Sequence, residues 1–181
     1  MKDPHLSDYR LVQKALNGDR HAFGEIVKKY ESQVAKTVIG LLGNTMEADD
    51  VGQEVFIRFY KSMDQYKGDS ALGTYLTRIA INLSLNELKR RKKKENADID
   101  QYSYKLHGDD ETVRKENVEM VTNALQELDP QFRSVIILRM IRGYDTKETA
   151  EMLDLPAGTV LSRLSRGQKK LKEILKKEMT L

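Results

Sequence analysis

Cysteine is absent from all 181 residues, which excludes disulfides, zinc ribbons and thiol chemistry together. Histidine is scarce: His5, His21 and His107 stand far apart without metal-ligand spacing, so neither a metal nor another cofactor is expected. No apolar run is long enough to cross a bilayer. The polar stretch from Met1 to Asp8 lacks the core of a signal peptide, so a reducing cytoplasm without direct membrane insertion is the expected setting. No segment alternates cleanly with period two, and no internal repeat is visible. Charge of one sign is missing only on average: 31 Lys and Arg against 28 Asp and Glu leave a net +3. That balance hides local asymmetry, and the asymmetry carries the information.

What is present is helical periodicity. Leu11, Val12, Ala15 and Leu16 mark a short helix, closed by Asn17-Gly18-Asp19. Phe23, Ile26, Val27, Tyr30, Val34 and Val38 recur at spacings of three and four and predict an amphipathic second helix. Gly43-Asn44-Thr45 is a stop and start signal, after which Val51, Val55, Phe59 and Met63 predict a third helix, and Leu76, Ile79, Ala80 and Leu83 a fourth. A basic run, Lys89 to Lys94, ends that pattern. An acidic stretch follows, with Asp98, Asp100, Asp109, Asp110 and Glu111, and reads as a flexible linker. Periodicity resumes at Val118, Val121, Leu125 and Leu128. The expected architecture is all-α: two small helical domains, residues 1–95 and 118–181, joined by an acidic linker over 96–117.

The second domain carries the sharper pattern. Asp129 and Pro130 suit the cap and first position of a helix whose core residues are Phe132, Val135 and Ile136, with Gly143 as its stop. Asp145-Thr146-Lys147-Glu148 has the form of a capping box for a short helix, Thr146 to Leu153. The turn Asp154-Leu155-Pro156 then leads into a helix from about Ala157 to Lys176. Val160, Leu164 and Leu171 make one stripe of it; Ser162, Ser165, Arg166 and Lys169 lie nearly opposite, flanked by Arg163 and Lys170. Small hydroxyls beside arginines suit a helix entering a major groove, where arginine binds guanine bidentately. For the charges alone, a solvated basic face is the alternative; the short helix and tight turn before it favour a helix-turn-helix.

Two faces of the first domain also invite function. Asp49, Asp50, Gln53 and Glu54 share the polar side of the third helix, yet Ile57 projects into that side, with Phe56 and Tyr60 at its rim. Acidic groups ringed by apolar ones suit a protein interface with a basic partner; the alternative is an ordinary helix whose aromatics belong to the core. On the fourth helix Tyr75, Arg78, Asn82, Asn86 and Lys89 fall on one face, opposite Leu76, Ala80 and Leu83. Aromatic, amide and guanidinium groups beside a cationic run suit unpaired bases and backbone phosphate, with a solvated face again the alternative.

Three runs carry a family resemblance. Leu138-Arg139, Gly143 to Ala150, Leu153 and Gly158 to Arg166 together resemble the fourth conserved region of bacterial sigma factors, closest to the extracytoplasmic-function subfamily. Glu47 to Phe56 resembles the sigma segment that grips the coiled coil of the polymerase's largest subunits, and Tyr66 to Asn82 resembles the part that opens and reads the −10 element. The resemblance implies partners: core RNA polymerase, promoter DNA and an anti-sigma factor, with no small-molecule substrate. It implies that Asp49, Asp50, Gln53, Glu54, Phe56, Ile57 and Tyr60 bind polymerase. Lys67, Gly68, Asp69, Ser70, Tyr75, Arg78, Asn82, Asn86, Lys89 and Arg90 then meet the −10 DNA. At the −35 element Ser162, Ser165 and Arg166 face bases, Arg163 and Lys169 hold phosphates, and Thr159 joins the contact set. The sequence departs from the family where Ala-Arg is usual and Gly167-Gln168 stands, where a basic residue is frequent and Leu161 stands, where tryptophan is usual and Tyr75 stands, and at Gly73.

An initiation factor that joins polymerase, selects promoters and helps melt them is therefore the expected function. A helix-turn-helix regulator that never joins polymerase is the alternative, and would have no need of the acidic-apolar face. A DNA-cleaving enzyme with Tyr75 as nucleophile wants clustered Arg/His stabilisers or metal-binding carboxylates, and no histidine lies near Tyr75 in the sequence. No catalytic residue is expected.

Overall fold

A computed structural model describes residues 4–95 and 114–178, and among these every regular element is helical. The first domain is built from α1 (Pro4–Leu16), α2 (Arg20–Leu42), α3 (Met46–Lys61) and α4 (Leu72–Glu95). The second is built from α5 (Arg114–Glu127), α6 (Pro130–Ile136), α7 (Thr146–Leu153) and α8 (Ala157–Glu178). The expected linker lies outside the described residues, apart from 114–117, which form the first turn of α5.

The local punctuation works as the sequence suggests. Asp19 caps α2 by accepting from the amides of His21 and Ala22, and Thr45 caps α3 through the Ala48 amide. Asp129 accepts from the Gln131 amide with Pro130 at the first position of α6. The capping box of α7 closes in both directions, Glu148 N–H to Asp145 at 2.8 Å and Asp145 N–H to Glu148 at 2.7 Å. Two boundaries differ from expectation. The third helix stops at Lys61, and Met63 instead opens a single tight turn, Met63–Gln65, where it is buried. Beyond α6 the chain widens into a π-turn over Ile137–Ile141, in which the Arg142 amide donates to the Ile137 carbonyl at 2.8 Å.

One continuous set of buried apolar side chains runs from Val12 through Ile26, Val38, Phe59 and Leu76 to Ile137 and Met152. The two domains are thus packed on one another. Their junction is the C-terminal end of α2, whose last four carbonyls have no partner within the helix. The Gly43 amide, at φ +80°, donates to the Ile39 carbonyl at 2.8 Å. Gln126 of α5 donates to the Gly40 carbonyl at 3.0 Å. Arg133 of α6 donates to the Leu41 carbonyl, and Arg91 of α4 to the Leu42 carbonyl at 3.2 Å. Arg133, only 4% exposed, also donates through its two terminal nitrogens to the Gln126 side chain, the Gln126 carbonyl and, at 2.9 Å, the Leu128 carbonyl, while its buried Nε has no partner among the described residues. Its burial pulls the guanidinium pKa down to about 10, and the neutral carbonyl cage is what keeps the cation tolerable there. Glycine at position 40 permits the approach: a Cβ there would lie 3.1 Å from the Ile137 side chain. A second junction is the Tyr144 hydroxyl donating to Thr77 at 3.2 Å.

Removing the cage's cation leaves the Leu41 and Leu128 carbonyls without their buried donor. Arg133→Ala is therefore expected to cost ~2–4 kcal/mol in urea denaturation. Arg133→Lys should recover only part, since an ammonium cannot match the planar fork. An unchanged midpoint for Arg133→Ala would contradict the cage.

Candidate nucleic-acid and protein interfaces

The acidic-apolar face assembles as a single surface on α3. Asp49, Asp50 and Gln53 are exposed, Ile57 is 46% and Tyr60 53% exposed, and Glu54 and Phe56 are half-buried. Glu54 is held by Arg58 at 3.1 Å. Tyr60 packs edge-on against Phe23 with centroids 4.9 Å apart, which fixes the ring while leaving its outer face in solvent. Beside them lies an open groove between α2 and α3, lined by Glu31, Val34, Asp49, Gln53 and Phe56. The helix closes no contact over Ile57 from within the core set, so the surface offers apolar area and negative charge together.

The second face lies along α4. Arg78, Asn82, Asn86 and Lys89 are exposed on one side, as their spacing predicts. Tyr75 is not free to the same degree: half-buried, its ring meets Tyr66 at 5.3 Å and Phe59 at 6.0 Å in T-shaped contacts. Lys67, Gly68, Asp69 and Ser70 form an exposed loop before α4. The loop is braced by the Tyr66 hydroxyl donating to the Ser70 carbonyl at 2.8 Å and by Gly68, at φ +80°, against the Tyr9 ring. Gly73 is a packing residue: an added Cβ would fall 2.9 Å from the Gln33 amide nitrogen and 3.0 Å from the Tyr30 ring. Its carbonyl accepts from Gln33 and from Thr77. Close approach of α4 to α2 thus explains a glycine that looks like a weak helix start. The neighbouring Tyr30 donates to buried Asp8 at 2.5 Å, and burial followed by that carboxylate pushes the phenol pKa up.

The basic run does not act as a uniform patch. Arg90 is paired in bidentate fashion with Glu87 at 2.7 and 2.8 Å. Arg91 turns inward to Thr45 at 3.1 Å, Glu47 at 3.6 Å and Glu87 at 3.5 Å, tying α4 to the start of α3. Lys89, Lys92, Lys93 and Lys94 remain exposed. Sequence reasoning missed Arg91 and Arg133 as structural cations. The only local signal for the second was a charge set inside the apolar stretch Phe132 to Leu138.

The third face is α8. The turn before it is tight because Asp154 adopts φ +52° and the Leu155 amide returns to the Ala150 carbonyl. Ser162, Ser165, Arg166 and Lys169 are exposed, while Thr159 and Arg163 are half-buried at the flanks. The Ser162 hydroxyl donates to the Thr159 carbonyl at 3.0 Å, leaving its lone pairs outward. Seven basic residues against two acidic ones make the helix strongly cationic. Gly167 is buried where α8 crosses α6; a Cβ would lie 3.2 Å from Ile136 and 3.3 Å from Phe132. Arg163 shares an apolar-floored groove with Lys89 and Lys92 of α4, between the two domains. Among the described residues no cluster of His, Asp and Glu could hold a metal. No helix among them is long and apolar enough to cross a membrane.

Comparisons with known proteins match both helical domains. Residues 26–94 match the family described as Sigma-70 region 2, and residues 119–171 that described as Sigma-70, region 4. The RNA polymerase sigma-H factor of Pseudomonas aeruginosa is 29% identical, with 93% of each chain covered. The ECF RNA polymerase sigma-E factor of Escherichia coli is 33% identical over 90% of this chain and 91% of its own. In the solved structure of CnrH in complex with the cytosolic domain of CnrY, one chain superimposes with a TM-score of 0.65 at 26% identity, covering 93% of this chain and 97% of that one. The sigma factor RpoE with the anti-sigma factor NepR, from Bartonella quintana, gives a TM-score of 0.71 at 22% identity over 85% and 96%, a likeness of fold.

The Glu87 pair gives a pH signature. Hydrogen bonding to Arg90 holds the Glu87 carboxyl below its ordinary value of 4.5. A carboxylate lowered by folding contributes stability above its unfolded pKa and loses it as pH falls through the lower folded value. Urea midpoints should therefore drop between pH 5 and pH 3, and Glu87→Gln should flatten part of that drop. An identical pH profile in the two proteins would count against the pairing.

Proposed function

The chain belongs to the extracytoplasmic-function (ECF) branch of the sigma-70 family of RNA polymerase sigma factors, and from that membership we propose how its surfaces divide the work of initiation. It binds core RNA polymerase, directs it to specific promoters and promotes melting of the DNA. The factor performs no catalysis of its own and acts in the cytoplasm, where polymerase and promoter are. Related sigma structures hold anti-sigma proteins, and this chain takes a partner of that kind.

The observation that carries the reading is the coexistence of two unlike surfaces on one chain. A capped, cationic helix-turn-helix suits duplex DNA, and an exposed apolar-acidic face on α3 suits a protein. A regulator acting alone would leave Ile57 and Tyr60 without a purpose. Asp49, Asp50, Gln53, Glu54, Phe56, Ile57 and Tyr60 dock on polymerase. The loop Lys67–Ser70 and Arg78, Asn82, Asn86 and Lys89 meet the opened −10 strand, with Asn82 offering donor and acceptor to a base edge. Tyr75 contributes through its exposed edge and Arg90 once it leaves Glu87. At the −35 element Ser162, Ser165 and Arg166 read bases, while Thr159, Arg163 and Lys169 contact the backbone. Residues 1–95 and 118–181 are the two working domains.

Geometry adds a requirement. Lys89 and Arg163 line one groove, whereas two elements centred about 25 base pairs apart are separated by ~85 Å of straight duplex at 3.4 Å per pair. Both cannot be engaged by the packed arrangement, so the domains separate on the promoter. The chain from residue 95 to 114 reaches at most ~65 Å when extended, which together with the lengths of the domains themselves spans the distance.

Joint replacement of Asp50 and Gln53 by lysine should abolish competition for core polymerase while leaving the thermal unfolding midpoint within a few degrees. Full competition by the double variant would contradict the α3 assignment. Arg166→Ala should cost ~1–3 kcal/mol at the preferred −35 site and relax its specificity. Lys169→Ala should weaken all duplexes alike and reduce the salt slope by about one unit. Equal losses for both variants on random DNA would remove the distinction between base and phosphate roles.

A further inference from the structure

Leu161 stands out on α8. It is the fifth residue of the helix and is 54% exposed. Its apolar neighbours turn the other way: Val160 is fully buried and Leu164 is half-buried against the core. Leu161 is absent from that packed set. At 100° per residue it lies 40° from Ser165 and 100° from Ser162, on the side of the helix that carries the exposed hydroxyls. Lys169 lies about 80° from it, whereas Arg166, Arg163 and Lys170 lie about 140° to 180° away; a helix this cationic takes a polyanion as its partner.

We propose that Leu161 is a specificity-determining residue that recognises thymine at one position of the −35 element, through van der Waals contact with the 5-methyl group. The inference rests on the reading of α8 as the helix that enters the major groove. In that groove, base pairs offer hydrogen-bond donors and acceptors and a single apolar feature, the thymine methyl. The N-terminal residues of a recognition helix are those that reach base edges, and Leu161 is among them. A leucine there has no hydrogen bond to give. Over a cytosine, whose edge carries a donor and no methyl, it would cover a polar group without replacing the water it displaces. Over thymine it removes apolar surface from water on both sides. Leu161 thus reads by a different chemistry from Ser162, Ser165 and Arg166.

The probe is a set of duplexes carrying a short randomised stretch upstream of a fixed −10 segment, selected by the full-length chain bound to core RNA polymerase. Each thymine of the enriched sequence is then replaced singly by deoxyuridine, which keeps every donor and acceptor and lacks the 5-methyl. The wild type should lose affinity about fourfold at one thymine, the worth of one buried methyl. Leu161→Ala should bind the two forms of that position alike, and Leu161→Met should keep the discrimination. Circular dichroism checks that both variants retain their helix content. If no single deoxyuridine weakens binding, or if Leu161→Ala still loses fourfold at the same position, the proposal is overturned. A Leu161→Ala variant that fails to bind core polymerase, with thymine discrimination intact in the residual complex, overturns it in favour of a protein contact. Arg166→Ala run on the same duplexes separates this failure from that of the parent reading. If Arg166→Ala relaxes no base preference, α8 is not the reading helix; if it does and deoxyuridine is silent, the Leu161 assignment alone falls.

Discussion

The end of a long helix buried between two domains must have its carbonyls satisfied, and the architecture follows from how this chain does so. The last four carbonyls of α2 belong to Ile39, Gly40, Leu41 and Leu42. Their donors come from a backbone amide just past the helix, from Arg91 of the same domain, and from Gln126 and Arg133 of the other. The cations also sit at the negative end of the helix dipole. Without the second domain, Leu41 and Gly40 would need water where apolar side chains such as Leu42 and Leu128 now close the space. A polar requirement of one domain is thereby met by side chains of the other, and their apolar surfaces pack around it.

That junction leaves much of each working face exposed, with Lys89 and Arg163 at the groove between the domains. On α3 Asp49, Asp50, Gln53, Ile57 and Tyr60 stay exposed although the groove beside them reaches Ile39, and α8 presents its hydroxyls and most of its cations to solvent while Gly167 lies against α6. The junction combines buried apolar contact with directional hydrogen bonds. Hydrogen bonds to carbonyls from Gln126 and Arg133 can be exchanged for bonds to water on opening, at a net cost well below their gross strength. A packed state of this kind is compatible with separation on a promoter when polymerase and DNA supply compensating contacts.

What was legible in the sequence was local. Caps at Asp19, Thr45, Asp129 and Asp145 and most of the apolar faces depend on neighbours within a few positions and appear in the structure, although Leu16 and Val121, expected on apolar stripes, are exposed. The helix-turn-helix appears as well, and its turn needs only a left-handed Asp154 and the proline after it. What was not legible depends on partners far along the chain. Arg133 reads as an ordinary surface cation until Leu41 is found beside it, 92 positions away. Arg91 looks like one member of a DNA-binding run, yet its charge is absorbed by Glu47 and Glu87. Tyr75 has the spacing of an exposed stacking residue, but Tyr66 and Phe59 draw it partly into the core. Gly73 and Gly167 look like helix faults and are instead the points where two helices come closest.

The absence of cysteine makes the central claim directly measurable, because two introduced cysteines are the only labelling sites. Lys28 on α2 and Glu173 on α8 are exposed and lie outside the assigned contacts. With donor and acceptor dyes at Lys28→Cys and Glu173→Cys, single-molecule energy transfer reports the distance between the domains. The free chain should give one high-transfer population, and the complex with core polymerase and promoter DNA a low-transfer one. Arg133→Ala should move part of the free population toward the low-transfer state. High transfer retained on the promoter would contradict separation of the two readers, and low transfer in the free chain would contradict the capped junction at α2.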